Sequence, residues 1–181
     1  MIRLSIREAA IERARKALDG IPGATVKALS ATLNRAIDGA RTDAARAATK
    51  IYFVKTSEIL QSILVKRSKP GPFMTASLIS TGNRRPLSEY RLKPNAPQKG
   101  KPMVQAAVKR EGGMKEIPSA YIAPGGSGSA EAYISGKRLM SPAVPQLVNN
   151  PDVVAYIEEQ GVGRFEKALD NQILRLLGEF K

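Results

Sequence analysis

Residues 24–54 read ATVKALSATLNRAIDGARTDAARAATKIYFV, and the predicted fold is built outward from them. Apolar residues recur here every three or four positions, which is the repeat of one face of an α-helix over about seven turns. That stripe consists of Val26, Leu29, Leu33, Ile37, Ala40, Ala44, Ala47 and Ile51. Large side chains give way to alanine along it, so the second half of the helix is expected to pack closely against a neighbouring element.

The face opposite this stripe is charged, and we predict that it is exposed. Its residues are Lys27, Arg35, Asp38, Arg41, Asp43 and Arg46. Asp38 with Arg41 and Asp43 with Arg46 have i,i+3 spacing, which predicts ion pairs of about 0.2–0.5 kcal/mol each. Asn34 borders the stripe, and its amide is predicted to hydrogen-bond to a sheet or to a neighbouring backbone. The helix is expected to be a core element. The alternative is that its outer face is also an assembly surface.

The composition narrows the possible functions. The 181 residues, 43% of them hydrophobic, are enough for a single domain with a core, so we predict one α+β domain over residues 1–181. The absence of Cys and His removes disulfides, the usual zinc ligands and the usual general base. Glu158 and Glu159 are adjacent and point in different directions on a helix. We therefore predict no enzyme activity, no catalytic or metal site, no cofactor and no membrane span.

Positive charge is concentrated in the middle of the chain. The net charge is +13, and residues 61–118 carry 12 Lys and Arg against 3 Asp and Glu, which gives +9. Residues 119–181 carry 6 against 7, which gives −1. A basic region of this kind favours a polyanion or an acidic protein as its partner.

Residues 81–116 are the most basic segment, and four prolines interrupt regular structure within it. We predict a loop or hairpin arm that contacts DNA or a neighbouring subunit, with a solvated loop as the alternative. The candidate contact residues are Arg84, Arg85, Arg91, Lys93, Lys99, Lys101, Lys109 and Arg110.

The remaining segments predict two helical ends around a sheet. Residues 5–19 are expected to form a helix with a Ser5–Glu8 capping box and Gly20 at its C-terminal end, which makes residues 1–55 a helical N-terminal part. A short helix is predicted over Glu58–Ile63. A C-terminal helix is predicted over residues 150–181, capped by Asn150 and kinked or broken at Gly161 and Gly163.

Five short segments between these helices have β-type composition, and Gly, Pro and Asn clusters separate them. They are Ile63–Arg67, Phe73–Ser80, Met103–Lys109, Ile117–Ala123 and Ala130–Ser135. The glycine-rich Pro124–Ser129 lacks the spacing of a phosphate-binding loop, which favours a hairpin turn. We therefore predict an α+β fold in which the long N-terminal helix and the C-terminal helix pack on a mainly antiparallel sheet of four to six strands.

Several segments follow one another in a distinctive order. They are Ala28–Ile37 (ALSATLNRAI) with Arg41–Arg46, Tyr52 and Lys55, Ala120–Ala123 (AYIA), Ser141–Gln146 (SPAVPQ), Asn149-Asn150, and the closing RFEKALDNQILRLL from Arg164. In this order they resemble the phage minor tail protein Z family, whose members are also described as tail-completion proteins, and the resemblance covers about residues 24–181. Ser141 and Tyr121 differ from the Gly and Phe that are usual there.

The resemblance implies a structural role in the virion of a tailed phage or a prophage. Such a protein is assembled in the host bacterial cytoplasm, completes the head-proximal end of the tail and contributes to head–tail joining. Its partners would be other tail or connector proteins and copies of itself in a ring, usually hexameric, through which DNA passes. Sequence-independent contact with packaged DNA would follow. The alternative is a nucleic-acid-binding protein that acts through the basic middle third.

Overall fold

The computed structural model describes residues 2–97, 103–125 and 130–179. Its helices alternate with short strands, which makes the protein α+β, as predicted. The helices of the described residues are α1 Glu8–Ala17, α2 Ala24–Ile51, α3 Thr56–Ser62, α4 Val144–Val148 and α5 Pro151–Glu179, with a 3-10 turn at Leu87–Glu89. No helix in these ranges is both long enough and apolar enough to cross a membrane.

The strands form three separate sheets, and every strand pair in them is antiparallel. The order is β1-β3-β2 in the first sheet, β4-β5-β6 in the second and β7-β8-β9 in the third. The strands are β1 Ile2–Leu4, β2 Ile63–Lys66, β3 Ala76–Ser80, β4 Arg91–Lys93, β5 Gln105–Ala107, β6 Lys115–Glu116, β7 Tyr121–Pro124, β8 Ala130–Ile134 and β9 Lys137–Arg138.

The antiparallel pairing agrees with the prediction, but the single sheet of four to six strands was wrong. The five predicted segments each contribute a strand, and each strand is shorter than its segment. The additional strands are only two or three residues long, such as Lys115–Glu116. Alternation of apolar and polar residues cannot be recognised over so short a length.

The chain divides into two compact units, each assembled from separated segments. Unit 1 consists of residues 1–44, 63–80 and 151–181, and unit 2 of residues 45–62 and 81–150. The backbone of α2 passes from the first unit into the second after Ala44. The single-domain assignment stays a prediction.

The core of unit 1 is formed by small residues of α1 and α2 and larger residues of α5. Its members are Ala10, Ala14, Leu18, Ala24, Ala28, Leu29, Leu169, Ile173 and Leu176. The buried face of α2 is wider than the predicted stripe, because Ala36, Ala45 and Ala48 are also buried. Val26, the first residue of that stripe, is 36% exposed. The alanines in the second half of that stripe, Ala40, Ala44 and Ala47, are buried.

The N-terminus differs from the predicted helix over residues 5–19. Ile2–Leu4 forms β1, which pairs with β3, and α1 begins only at Glu8. The capping box was wrong: Arg7 is the N-cap residue, and no side chain caps the helix. Ser5 lies outside the helix, two residues before its N-cap. Gly20 does adopt a left-handed conformation, with a φ of 80°, beyond the end of α1.

Asn34 on α2 holds the backbone of Ser68, which follows β2. Its amide nitrogen donates to the Ser68 carbonyl at 3.1 Å, and its amide oxygen accepts from the Ser68 N–H at 2.7 Å. The Ser30 hydroxyl donates to the same carbonyl at 3.3 Å. The predicted bond from Asn34 to a neighbouring backbone is thus confirmed, and it satisfies both polar groups of a buried residue.

Asp43 is buried and paired with Arg164 of α5, contrary to the prediction that it is exposed and paired with Arg46. Its side chain is 2% exposed, and Arg164 contacts both carboxylate oxygens, with Nη2 lying 3.1 Å from Oδ1. Asp38 likewise pairs with a distant residue, Arg67, at 3.0 Å. These two ion pairs join α2 to other elements of unit 1, and no sequence spacing could indicate them.

Gly39 provides the space in which the Arg164 side chain lies. A Cβ atom at this position would overlap the Arg164 guanidinium and its Cδ. By contrast, Gly161 and Gly163 have no atom near the position of a Cβ, and α5 continues through both of them without the predicted break.

The glycine-rich segment of unit 2 joins two paired strands, as predicted for a hairpin. Tyr121 of β7 pairs with Tyr133 of β8, and their rings are stacked with centroids 5.8 Å apart. Residues 126–129 lie outside the described residues. Glu131 is buried and paired with Arg138, and its hydrogen bond from the Tyr133 hydroxyl raises the pKa of that tyrosine.

Replacing Asn34 by alanine is expected to lower the free energy of unfolding by about 1–3 kcal/mol, because the buried N–H and C=O of Ser68 lose their partners. Urea denaturation monitored by circular dichroism measures this. Thr42→Ala is the matched control on the same helix: its hydroxyl bonds only to the Asp38 carbonyl at an exposed site, so the change should stay within about 0.5 kcal/mol. Equal stability of the two variants would contradict the assigned role of Asn34.

Gly39→Ala and Gly163→Ala are expected to change stability in opposite directions. The first displaces Arg164 and leaves Asp43 buried without its cation, which should lower the unfolding free energy by about 2–4 kcal/mol. The second meets no atom and should raise it by about 0.5–1 kcal/mol, since alanine favours the helix. Thermal and urea unfolding of both variants measure the difference. Stabilisation by Gly39→Ala would show that Arg164 does not depend on that space.

Candidate anion-binding surface

Most of the net positive charge belongs to unit 2. Its residues include 14 Lys and Arg against 5 Asp and Glu, a net charge of +9, whereas unit 1 has 15 against 11, a net charge of +4. All eight candidate contact residues lie within unit 2 in sequence, although Lys99 and Lys101 fall outside the described residues. The other six occupy three different environments.

Arg85 is held inside unit 2 by acidic side chains. Its guanidinium pairs with Glu58 at 2.8 Å and also with Glu89, and its side chain is only 26% exposed. The Arg85 carbonyl accepts hydrogen bonds from the backbone and hydroxyl of buried Ser141, the latter at 3.1 Å. Nearby Tyr90 is also buried, and burial raises its pKa. Because two carboxylates offset its charge, Arg85 fits a structural role rather than contact with an external anion.

Arg84, the residue before it, has the opposite environment. Its side chain is exposed and lines an open groove of about 390 Å³ with Gln61, Thr81 and Asn83. Within the described part of the chain, Arg84 forms no ion pair. Two consecutive arginines therefore serve different purposes, one fixed by carboxylates and one free to meet solvent or a ligand.

Arg91 and Arg110 meet at the ring of Phe53. Their guanidinium carbons lie 5.3 Å and 4.7 Å from the ring centroid, within the range of cation–π attraction. The Arg110 Nε also donates to the Thr49 carbonyl at 2.8 Å, which fixes the direction of that guanidinium. Both arginines are exposed. The structure thus brings together two cations that are 19 positions apart in sequence.

Backbone pairing brings the Phe53 ring to these arginines. The Phe53 N–H donates to the Val108 carbonyl and the Arg110 N–H donates to the Ile51 carbonyl, both at 2.8 Å. These bonds flank an antiparallel bridge between Tyr52 and Lys109. The segment after α2 therefore runs beside the segment after β5, and Arg91 joins them because β4 pairs with β5.

Lys93 lies in an open cleft next to Arg91. This cleft has a volume of about 570 Å³ and is lined by Arg91, Leu92, Lys93, Pro94, Asn95, Met103 and Gln105. Its polar side chains are cations and amides, and none of the described lining residues is acidic. Arg91 and Lys93 form no ion pair with any described residue, and neither does Lys109. A surface with these groups attracts anions.

Phe53 is the member of this surface that sequence reasoning missed. It follows the long helix and lies far from the basic segment in sequence, and the aromatic residues showed no interleaving with the cations. Its contact with two arginines depends on the pairing between the end of α2 and the segment after β5. Residues this far apart in sequence give no local pattern that predicts the contact.

Across the described ranges, no group of three or more Asp, Glu, His or Cys residues is arranged to hold a metal ion.

Comparison of the chain with models of protein families, with curated proteins and with solved structures finds no match in any of the three.

Arg85→Gln and Arg84→Gln are expected to differ in stability although the residues are adjacent. The first removes the partner of two partly buried carboxylates and should lower the unfolding free energy by about 1–3 kcal/mol, whereas the second should change it by less than about 0.5 kcal/mol. Urea unfolding of both variants gives the comparison. If Arg84→Gln proved as destabilising as Arg85→Gln, the division between a structural and a free arginine would be wrong.

Proposed function

We propose that the protein is a structural virion protein of a tailed phage or prophage. In this proposal it completes the head-proximal end of the tail, contributes to head–tail joining and forms a ring around the DNA channel, with six copies favoured. Its partners are then other tail or connector proteins and copies of itself. DNA passing through the ring would meet the basic surface of unit 2 without regard to sequence.

The observation that carries this proposal is the ordered resemblance to tail-completion proteins over residues 24–181. Its most recognisable segments supply side chains with structural contacts. Asn34 within ALNRA binds the Ser68 backbone, and Arg164 at the start of the closing segment binds Asp43. Ser141 of SPAVPQ is buried and binds the Arg85 carbonyl. A resemblance that coincides with residues that stabilise the fold supports a shared architecture more strongly than one confined to surface loops.

The charge distribution adds a second line of support. A protein that surrounds passing DNA needs cations that contact phosphates, because the sequence of the DNA changes as it moves. Unit 2 offers exposed cations without ion pairs among the described residues, and unit 1 is closer to neutral. This separation suits a subunit with one basic surface and one surface for contacts between proteins.

Native mass spectrometry and negative-stain electron microscopy test the proposal. The purified protein is examined alone and after mixing with tail tubes that lack their completion protein. We expect either a defined oligomer in solution or a monomer that assembles at one end of the tube. Tubes that already carry a completion protein are the control and should bind none. A monomer that binds neither tube end would overturn the proposal.

A free, sequence-independent nucleic-acid-binding protein is the second candidate function. The exposed cations around Phe53 favour it, since they need no ring in order to meet phosphates. The same tail-binding experiment distinguishes the candidates when nuclease is present. Association with tube ends that survives nuclease supports the virion role, and association that disappears with the DNA supports the second candidate.

A further inference from the structure

We infer that Arg91, Lys93 and Arg110, with Phe53 in cation–π contact with the two arginines, form a binding site for the phosphodiester backbone of nucleic acid. The inference rests on the DNA contact included in the proposed function and assigns it to particular residues. The test of the site uses the isolated protein without tails. A negative result for DNA binding can therefore be distinguished from a negative result for tail completion.

The chemistry of the site selects an anion. The cleft presents the guanidinium of Arg91, the ammonium of Lys93 and the amides of Asn95 and Gln105. Cations and amide N–H groups donate hydrogen bonds to phosphate oxygens, and no carboxylate among the described lining residues competes for them. Among the described residues, the Arg91 guanidinium makes neither a hydrogen bond nor an ion pair, so its N–H groups are available to a ligand.

The spacing of the cations allows one polyanion to interact with both arginines. The guanidinium carbons of Arg91 and Arg110 are at most 10.0 Å apart, which is the sum of their distances of 5.3 Å and 4.7 Å from the Phe53 centroid. That separation is comparable with the Debye length at physiological salt, about 8 Å, so both charges act on one polyanion. A nucleic acid strand presents phosphates in succession and can engage both arginines and Lys93 at once.

The surroundings of the cations favour nucleic acid over an acidic protein. Protein interfaces are usually anchored by buried aromatic or large apolar side chains. Among the described residues that line the cleft, Met103 is the one large apolar side chain that is exposed, at 56%. The Phe53 ring is already covered by guanidinium groups, so it offers little surface for a base to stack upon. Contact through phosphates alone makes the binding independent of sequence.

Phe53 contributes by fixing the arginines before the ligand arrives. Cation–π attraction holds both guanidiniums on the ring, and the Thr49 carbonyl holds the Arg110 Nε at 2.8 Å. An arginine that is already positioned loses less conformational freedom when it binds a phosphate. Phe53 is therefore a positioning residue, and it does not itself bind the ligand.

Fluorescence anisotropy with a labelled 20-bp DNA duplex, measured over a series of salt concentrations, tests the site. Arg91→Gln, Lys93→Gln and Arg110→Gln should each reduce the slope of log affinity against log salt by about 0.9, the value for one phosphate contact on B-DNA. The triple variant should weaken binding by more than about tenfold near 0.1 M salt. Lys137→Gln, which removes an exposed cation from β9 of the same unit, is the matched control and should leave the slope unchanged.

Phe53→Leu separates positioning from charge. It keeps every cation, so the salt slope should stay the same while affinity falls about two- to fivefold. Arg91→Lys, which changes no aromatic residue, provides the same comparison if Phe53→Leu unfolds the protein: the charge and the slope are retained and affinity falls. Thermal unfolding of each variant shows that it is folded under the assay conditions.

Three results would overturn the inference. The first is that Arg91→Gln, Lys93→Gln and Arg110→Gln have the same salt slope as Lys137→Gln. The second is that a poly-glutamate peptide of equal charge binds more tightly than the duplex, which would assign the site to an acidic protein. The third is that two duplexes of unrelated sequence differ more than tenfold in affinity, because a site that contacts only phosphates cannot distinguish them.

Discussion

The buried ion pair between Asp43 and Arg164 joins two helices of unit 1. A carboxylate that is 2% exposed is strongly destabilising without a cation, and the cation arrives from a helix 121 positions away in sequence. Arg164 reaches Asp43 only across Gly39, where any larger residue would overlap it. The pair therefore requires a particular alignment of α2 and α5.

Local patterns in the sequence predicted the elements of the fold better than the partners of individual side chains. The stripe from Leu29 to Ile51 predicted α2 correctly, and the position of Asn34 beside that stripe predicted its bond to a backbone. The same pattern placed Asp43 on the exposed face, and its i,i+3 spacing predicted a pair with Arg46. Its true partner lies on α5, and neither composition nor spacing carries that information.

The sequence predicted which cations belong to the candidate surface, but it did not predict how they are arranged. The basic segment did supply Arg91, Lys93 and Arg110, yet sequence could not distinguish Arg84 from Arg85, which are adjacent and chemically identical. Two acidic residues, Glu58 and Glu89, form ion pairs with Arg85 and leave Arg84 without one among the described residues. Phe53 joins the surface through strand pairing between segments that are about 55 positions apart, as its 2.8 Å bond to Val108 illustrates. Contacts of this kind become visible only when the fold is known.

The order of the strands gives the positive charge another consequence. The outer strand of a sheet exposes unpaired N–H and C=O groups, on which another chain can extend the sheet, and lysine, arginine or proline there opposes such aggregation. The central strands β3, β5 and β8 contain no Lys or Arg. The outer strands carry Arg3, Lys66, Arg91, Lys93, Lys115, Lys137 and Arg138, and β7, which has no charge, ends in Pro124. Part of the basic character of this protein thus keeps three small sheets from joining those of neighbouring molecules, whichever ligand the remaining cations bind.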